Sequence, residues 1–370
     1  MKKIVKILSM SLAYLLLLST IVDSNVVNAK EMFSKRNVKK YLNYSTLNYS
    51  NENQIEKIVQ YKNKALVFSN HFPNLNYNYN YSLAGGHYDL YELKNNNYNK
   101  VSDNLVGNNI SNLTRSDNIV NFSTYQYNSE ILTKYYYDFN NSSVTKKDSE
   151  DNIVLTNKKV AIEKVNQKYN TNYDANEIQY FNFNEICDYK GNIYTTFSLC
   201  IDKNYNYQFH GVYNDNVEYI SNSISVPYIS FDNKNRLVIQ EPSTSTLMIM
   251  NNKHMIKVNL PKNSSSNVYV VNNHLYILNR HSLSKYRYNA ITGKCTLIKN
   301  FNEEIHSIHT DKNGNLWALK IGNDSNIICK LYANTLIEKY EINKNLYDLS
   351  IYDDNNITAY NTKMYTSIHK

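Results

Sequence analysis

The chain has 370 residues, 40 Lys and Arg against 32 Asp and Glu, and a formal charge of +8. The basic excess is mild and spread out. The absence of a dense basic run argues against a nucleic-acid partner, while an anionic cell envelope remains compatible.

Only 8 Gly and 4 Pro stand beside 63 Asn and 36 Tyr. Asn, Lys, Ile and Tyr all have A/T-rich codons, so part of this bias is genomic. Its physical consequences hold regardless. Turns must use Asn, which tolerates the left-handed conformation, and half-buried strands must use Tyr, which packs while its hydroxyl stays wet.

In chain order, Met1 to Ala29 has the features of a secretory signal peptide. Lys2, Lys3 and Lys6 form the basic start, Ile7 to Val22 the apolar stretch, and Val27-Asn28-Ala29 the small-residue cleavage site. The rival is an uncleaved anchor; the short apolar core and the Val-x-Ala site favour cleavage. No Cys lies near the cleavage point, as a lipoprotein would need, and no later apolar run is long enough to span a membrane. The expected location is extracellular, with residues 30–370 as one mature domain.

Lys30 to Asn53 is polar, with one short strand expected at Lys40–Ser45. Two strand-rich units follow, from Gln54 to Ser102 and from Leu105 to Lys147, the second with strands near 119–127, 130–139 and 143–146. Residues 148–172 break the rhythm. Ala161, Ile162, Val165 and Tyr169 fall on one side at helical spacing, which predicts an inserted helix over Asn157–Asn170. The alternative is that Asp148 to Ile153 opens an extra, distorted unit. Further units are expected at 175–222, 223–261, 262–302 and 303–343, and Lys344–Lys370 has room for three strands.

The clearest stretch is His309 to Lys320. Asp311 can close an Asx-type turn, Gly314 can take the left-handed position, and Leu316-Trp317-Ala318-Leu319 is apolar on both faces. A strand of that kind is buried on both faces. The device recurs at Asp188–Gly191, Asp232–Asn235, Asn272-Asn273 and Asp353–Asn356. The first apolar residues after these turns are 193, 237, 275, 316 and 357, at gaps of 44, 38, 41 and 41. A strand-rich period of roughly 40–50 residues fits four-stranded propeller blades.

Asp-x-x-Gly-Asn-Leu-Trp, at 311–317, resembles the blades of two-component-regulator and NHL-type propellers, and the resemblance extends over 173–370. It implies an all-β propeller; counting the units along the chain gives six full blades and one shared blade, seven four-stranded blades in all, with one helical insertion between blades two and three. The sialidase Asp-box does not fit, because Gly314 follows Asp311 by three residues where that motif needs two. The three-stranded last blade is expected to be completed by Lys40–Ser45, which would close the ring and remove exposed sheet edges.

The four cysteines, Cys187, Cys200, Cys295 and Cys329, match no zinc spacing. Cys187 should pair across its hairpin with about Tyr194, not with Cys200, so free thiols are expected. His306 and His309 should face opposite sides of their strand and therefore not share a metal. His309 and Asp311 share a face, but two ligands at a turn do not make a site. No metal, cofactor or catalytic motif is expected.

Tyr77, Tyr79 and Tyr81 lie on one face if their segment is a strand, and such a row of rings suits stacking on sugars. The competing account is compositional bias in a long loop. Trp317 is expected between blades. Together these features suggest a secreted binding module for an envelope polymer, a glycan or an extracellular protein. The alternative is an extracellular lyase or glycoside hydrolase at the channel mouth.

Overall fold

A computed structural model of the chain describes residues 38–46, 53–71, 87–94, 97–106, 109–126, 131–150, 153–202, 207–242, 244–251, 254–261 and 267–369. The signal-peptide expectation falls outside these residues. Among them are five four-stranded sheets and one eight-stranded sheet. Within the larger sheet, the long strand Cys295–Thr310 pairs with Ser282–Tyr288 through its first part and with Leu316–Lys320 from Ile305 onward. Divided there, the described strands form seven groups of four, with Lys39–Tyr41 left as a fifth strand on one of them. Blades 1 to 6 span 53–106, 109–150, 180–222, 228–259, 268–304 and 305–343.

Blade 7 combines Asp348–Asp353, Asn356–Tyr360 and Met364–His369 with Ser45–Thr46, which pairs antiparallel to Met364–His369. The expected single strand Lys40–Ser45 is instead two short ones. Lys39–Tyr41 runs parallel to Thr335–Asn343 of blade 6 before the chain crosses to blade 7. The segment spans two blade edges, so no single pairing can hold it.

Local chemistry sets the hairpins. Asp188, Asp232 and Asp311 each accept backbone N–H bonds from the residues two and four positions on. Gly191, Asn235 and Gly314 take left-handed φ of 84°, 63° and 73° at the ends of these turns. Asn thus replaces Gly where expected.

Each blade's faces are buried by its neighbours. Trp317 and Leu319 pack against Leu349, Ile351 and Ile357 of blade 7, while Leu316 and Ala318 pack on Tyr276, Leu278 and Leu283 of blade 5. Among the described residues the pattern is interrupted between blades 2 and 3. There the helix Ile153–Tyr169 places Ala161, Ile162 and Val165 on Phe197, Leu199 and Phe209 of blade 3. The helix begins four residues earlier than expected, because the exposed Leu155 blurs the apolar stripe in the first turn. Asp148 to Glu150 close the outer strand of blade 2, after a bulge, and open no extra blade.

Near the axis, hydrogen bonds cross every junction. Gln60 N–H donates to Ser350 Oγ (2.8 Å) and Arg115 Nη1 to the Gln60 carbonyl (2.6 Å). Asn112 and blade 3 exchange two bonds: Asn112 N–H to Asn184 Oδ1 (2.8 Å) and Glu185 N–H to Asn112 Oδ1 (2.7 Å). Tyr189 N–H donates to Asn235 Oδ1 (2.8 Å), and Asn272 N–H to Asn233 Oδ1 (3.1 Å). The Tyr269 hydroxyl donates to the Ile308 carbonyl (3.0 Å) and Lys312 N–H to the Tyr352 carbonyl (3.2 Å). Asn side chains can donate and accept at once, so they link two backbones where Gly could not.

All four cysteines are free. Cys187 opposes Ile193, one residue from the expected partner, and Cys200 opposes Tyr180.

Candidate functional site at the channel mouth

The ends of the first strands and their turns surround a cavity of about 760 Å³, to which six of the seven blades contribute. Three tyrosines stand at its wall, each from a different blade: Tyr189, Tyr269 and Tyr352. Burial raises the Tyr189 phenol and pushes that of Tyr269 up to about 12, so both stay neutral at ordinary pH. Tyr352 is fixed by an edge contact with Tyr61, at 5.2 Å between ring centres.

Two cations flank the Tyr352 ring. Lys312 Nζ lies 4.1 Å from its centre and the Arg115 guanidinium carbon 5.1 Å. Burial lowers the Arg115 pKa without discharging it. The Arg115 carbonyl accepts from Cys187 Sγ at 3.6 Å, and burial pushes that thiol up, away from the reactive thiolate.

The buried carboxylates at the mouth are committed to turns. Asp188 and Asp311 are each 3% exposed. Asp188 accepts from Lys190 N–H and Asn192 N–H, and from the Asn192 and Asn235 side-chain amides. Asp311 accepts from Asn313 N–H, Asn315 N–H, Asn315 Nδ2 and Trp317 Nε1. Neither is placed as half of an acid–base pair for glycoside chemistry.

His309 also lines the channel. Its Nε2 is 2.7 Å from Ser307 Oγ and its Nδ1 3.7 Å from Asp348 Oδ1. Burial pushes the imidazole down to about 4; Asp348 opposes this, and Lys57 and His306 reinforce it.

A bulge between Ile305 and Ser307 interrupts the alternation on which the opposite-face expectation for His306 and His309 rests, and the His306 ring lies 6.2 Å from that of His281. The His306 ring lies 6.1 Å from that of Tyr347, next in sequence to Asp348. Among the described residues no group of three His, Cys, Asp or Glu is arranged to hold a metal.

Tyr77, Tyr79 and Tyr81 lie outside the described residues. Trp317 is fully buried between blades, as expected, and so takes no part in the channel. Sequence reasoning missed Arg115, Tyr189, Lys312 and Tyr352. A signal for two of them exists: Tyr189 and Lys312 each directly follow a turn aspartate, the position that faces the channel.

No protein-family model and no curated protein matches the chain. Solved structures do. A streptogramin B lyase is 12% identical with a TM-score of 0.45, covering 88% of this chain and 97% of its own. The β-propeller domain of the trilobed protease from Pyrococcus furiosus is 9% identical at 0.48, covering 86% and 94%. YCF48 bound to a D1 peptide is 8% identical at 0.44, covering 90% and 100%. At these identities and TM-scores the likenesses carry no argument about this chain, and the fold rests on the strand pairing described above. The chain is an all-β propeller with an aromatic and polar mouth at its axis.

Proposed function

We propose that the protein is a secreted binding module whose channel mouth takes part of an envelope polymer, a glycan or an extracellular protein. One observation carries this reading: Tyr189, Tyr269 and Tyr352 meet at a single opening of about 760 Å³. That volume lies in the usual range for ligand sites, and phenol rings beside polar groups suit stacking on sugars. Secretion rests on the sequence from Lys2 to Ala29. The test is retention of residues 30–370 on a glycan array and on cell wall of the producing organism. Retention on either supports the reading, and no retention on both overturns it.

A second reading, an extracellular lyase or hydrolase, is favoured by the line Ser307–His309–Asp348. A neutral imidazole between a hydroxyl and a carboxylate is the arrangement of a general base beside a nucleophile. Against it, Nδ1 and Asp348 are 3.7 Å apart, beyond hydrogen-bond reach. Turnover of a retained ligand that His309→Gln abolishes, with retention intact, would favour this second reading.

A further inference from the structure

The channel mouth carries an unbalanced charge. Lys57, Arg115, Lys190 and Lys312 all line it. None of the four forms an ion pair with a carboxylate among the described residues, whereas several lysines elsewhere do. Lys64 meets Glu92 at 3.3 Å, Lys164 meets Glu218 at 2.6 Å, and Lys320 meets Glu338 at 2.7 Å. The carboxylates lining the same opening are Asp117, which is exposed, and Asp188 and Asp311, which accept turn N–H groups and neighbouring side-chain donors; Asp117 and Asp311 favour the charged form of Arg115 without forming an ion pair with it. Arg115 spends one N–H on the Gln60 carbonyl.

Arg115 and Lys312 are the two of the four that are partly buried, and an anion beside them would offset the cost of desolvating them. An arginine fork with a lysine beside an aromatic ring matches a carboxylate or phosphate attached to a ring-bearing ligand.

We infer that the ligand is an acidic glycan, bearing carboxylate or phosphate. Its charged group sits beside Tyr352 between Arg115 and Lys312, with Lys57 and Lys190 at the flanks. This rests on the binding reading above and adds the ligand's charge to it.

The test is calorimetric titration of residues 30–370 with three probes of matched length: oligogalacturonate, a phosphorylated xylo-oligosaccharide and a neutral xylo-oligosaccharide. The same protein is also loaded on cell wall and washed with rising salt. One or both acidic probes should bind at least about tenfold more tightly than the neutral one, and which of them binds identifies the group. Affinity and wall retention should fall by about tenfold or more between low salt and about 0.5 M NaCl. Lys312→Gln and the pair Lys57→Gln, Lys190→Gln should each lose about tenfold. The latter pair is at exposed positions, so folding is preserved.

Equal binding of the neutral probe overturns the inference, as does salt-insensitive wall retention or unchanged acidic-probe affinity in the lysine variants. These outcomes leave the binding reading in place. Failure of every probe together with no wall or array retention overturns both.

Discussion

Lys312 holds its ammonium 4.1 Å from the centre of the Tyr352 ring, while its backbone N–H donates to the Tyr352 carbonyl at 3.2 Å. A channel-lining side chain is thus fixed by the same contact that ties blade 6 to blade 7. Site and ring closure share residues, and a change at one is felt at the other.

Tyr352→Leu should therefore cost about 1–3 kcal/mol, because it removes the ring that Lys312 and Arg115 approach and that packs on Tyr61. Tyr352→Phe keeps the ring and should stay within about 0.5 kcal/mol. Urea unfolding of the two variants checks the difference.

Trp317 fills the space between blades 6 and 7 with no exposed surface. Trp317→Ala should destabilise by about 3–5 kcal/mol through the cavity it leaves. Tyr332, 64% exposed, is the control: Tyr332→Ser should change stability by less than about 0.5 kcal/mol. The same denaturation experiment reads both.

The turn chemistry makes its own demand. Asp311→Ala strips acceptors from Asn313, Asn315 and Trp317 and should cost about 1–3 kcal/mol. Gly314 is at φ 73°, and a Cβ there would stand 2.8 Å from the Tyr189 ring. Gly314→Ala should both strain the turn and push Tyr189, so it should lower the melting temperature and weaken ligand retention together. A variant that loses only one of the two would contradict this placement of Tyr189.

Acid should loosen the fold. Burial lowers the imidazole pKa at His210, His274, His309 and His369. A folded pKa below the unfolded value of 6.5 means the unfolded chain binds the proton first. The stability these groups supply is present above pH 6.5 and lost as pH falls, for His309 down to about 4. At high pH the sign reverses for tyrosine. Tyr269, Tyr276 and Tyr340 are raised to about 12, so stability falls as pH climbs from 10 through 12. Unfolding free energy against pH should show both limbs, and His309→Gln should flatten the acid one.

What the sequence makes legible is local. The turns at Asp188, Asp232 and Asp311 can be read because side chain and backbone close them within five residues, and their spacing carries the blade period. The inner strand Asn109–Ser116 cannot be read that way. Its sequence, Asn-Ile-Ser-Asn-Leu-Thr-Arg-Ser, lacks apolar alternation because Asn112 bonds to blade 3 and Arg115 points to Gln60 and Tyr352. Arg115 goes unnoticed with it. The crossing from Lys39–Tyr41 to Ser45–Thr46 is equally hidden, since its partners lie some 300 residues away.

That crossing gives a further expectation. Removing residues up to Thr46 would leave Met364–His369 as an open edge and free the Thr366 hydroxyl from the Asn43 carbonyl. The shortened protein should melt several degrees lower and associate through the bare edge, as size-exclusion chromatography would show.

The most direct measurement is amide hydrogen exchange of residues 30–370 with and without the wall fraction or glycan that retains the protein. Exchange should slow at 57–60, 113–117, 187–191, 308–313 and 349–352, the segments around the channel mouth. Protection confined to the opposite face, at 223–228 and the loops beside it, would contradict it.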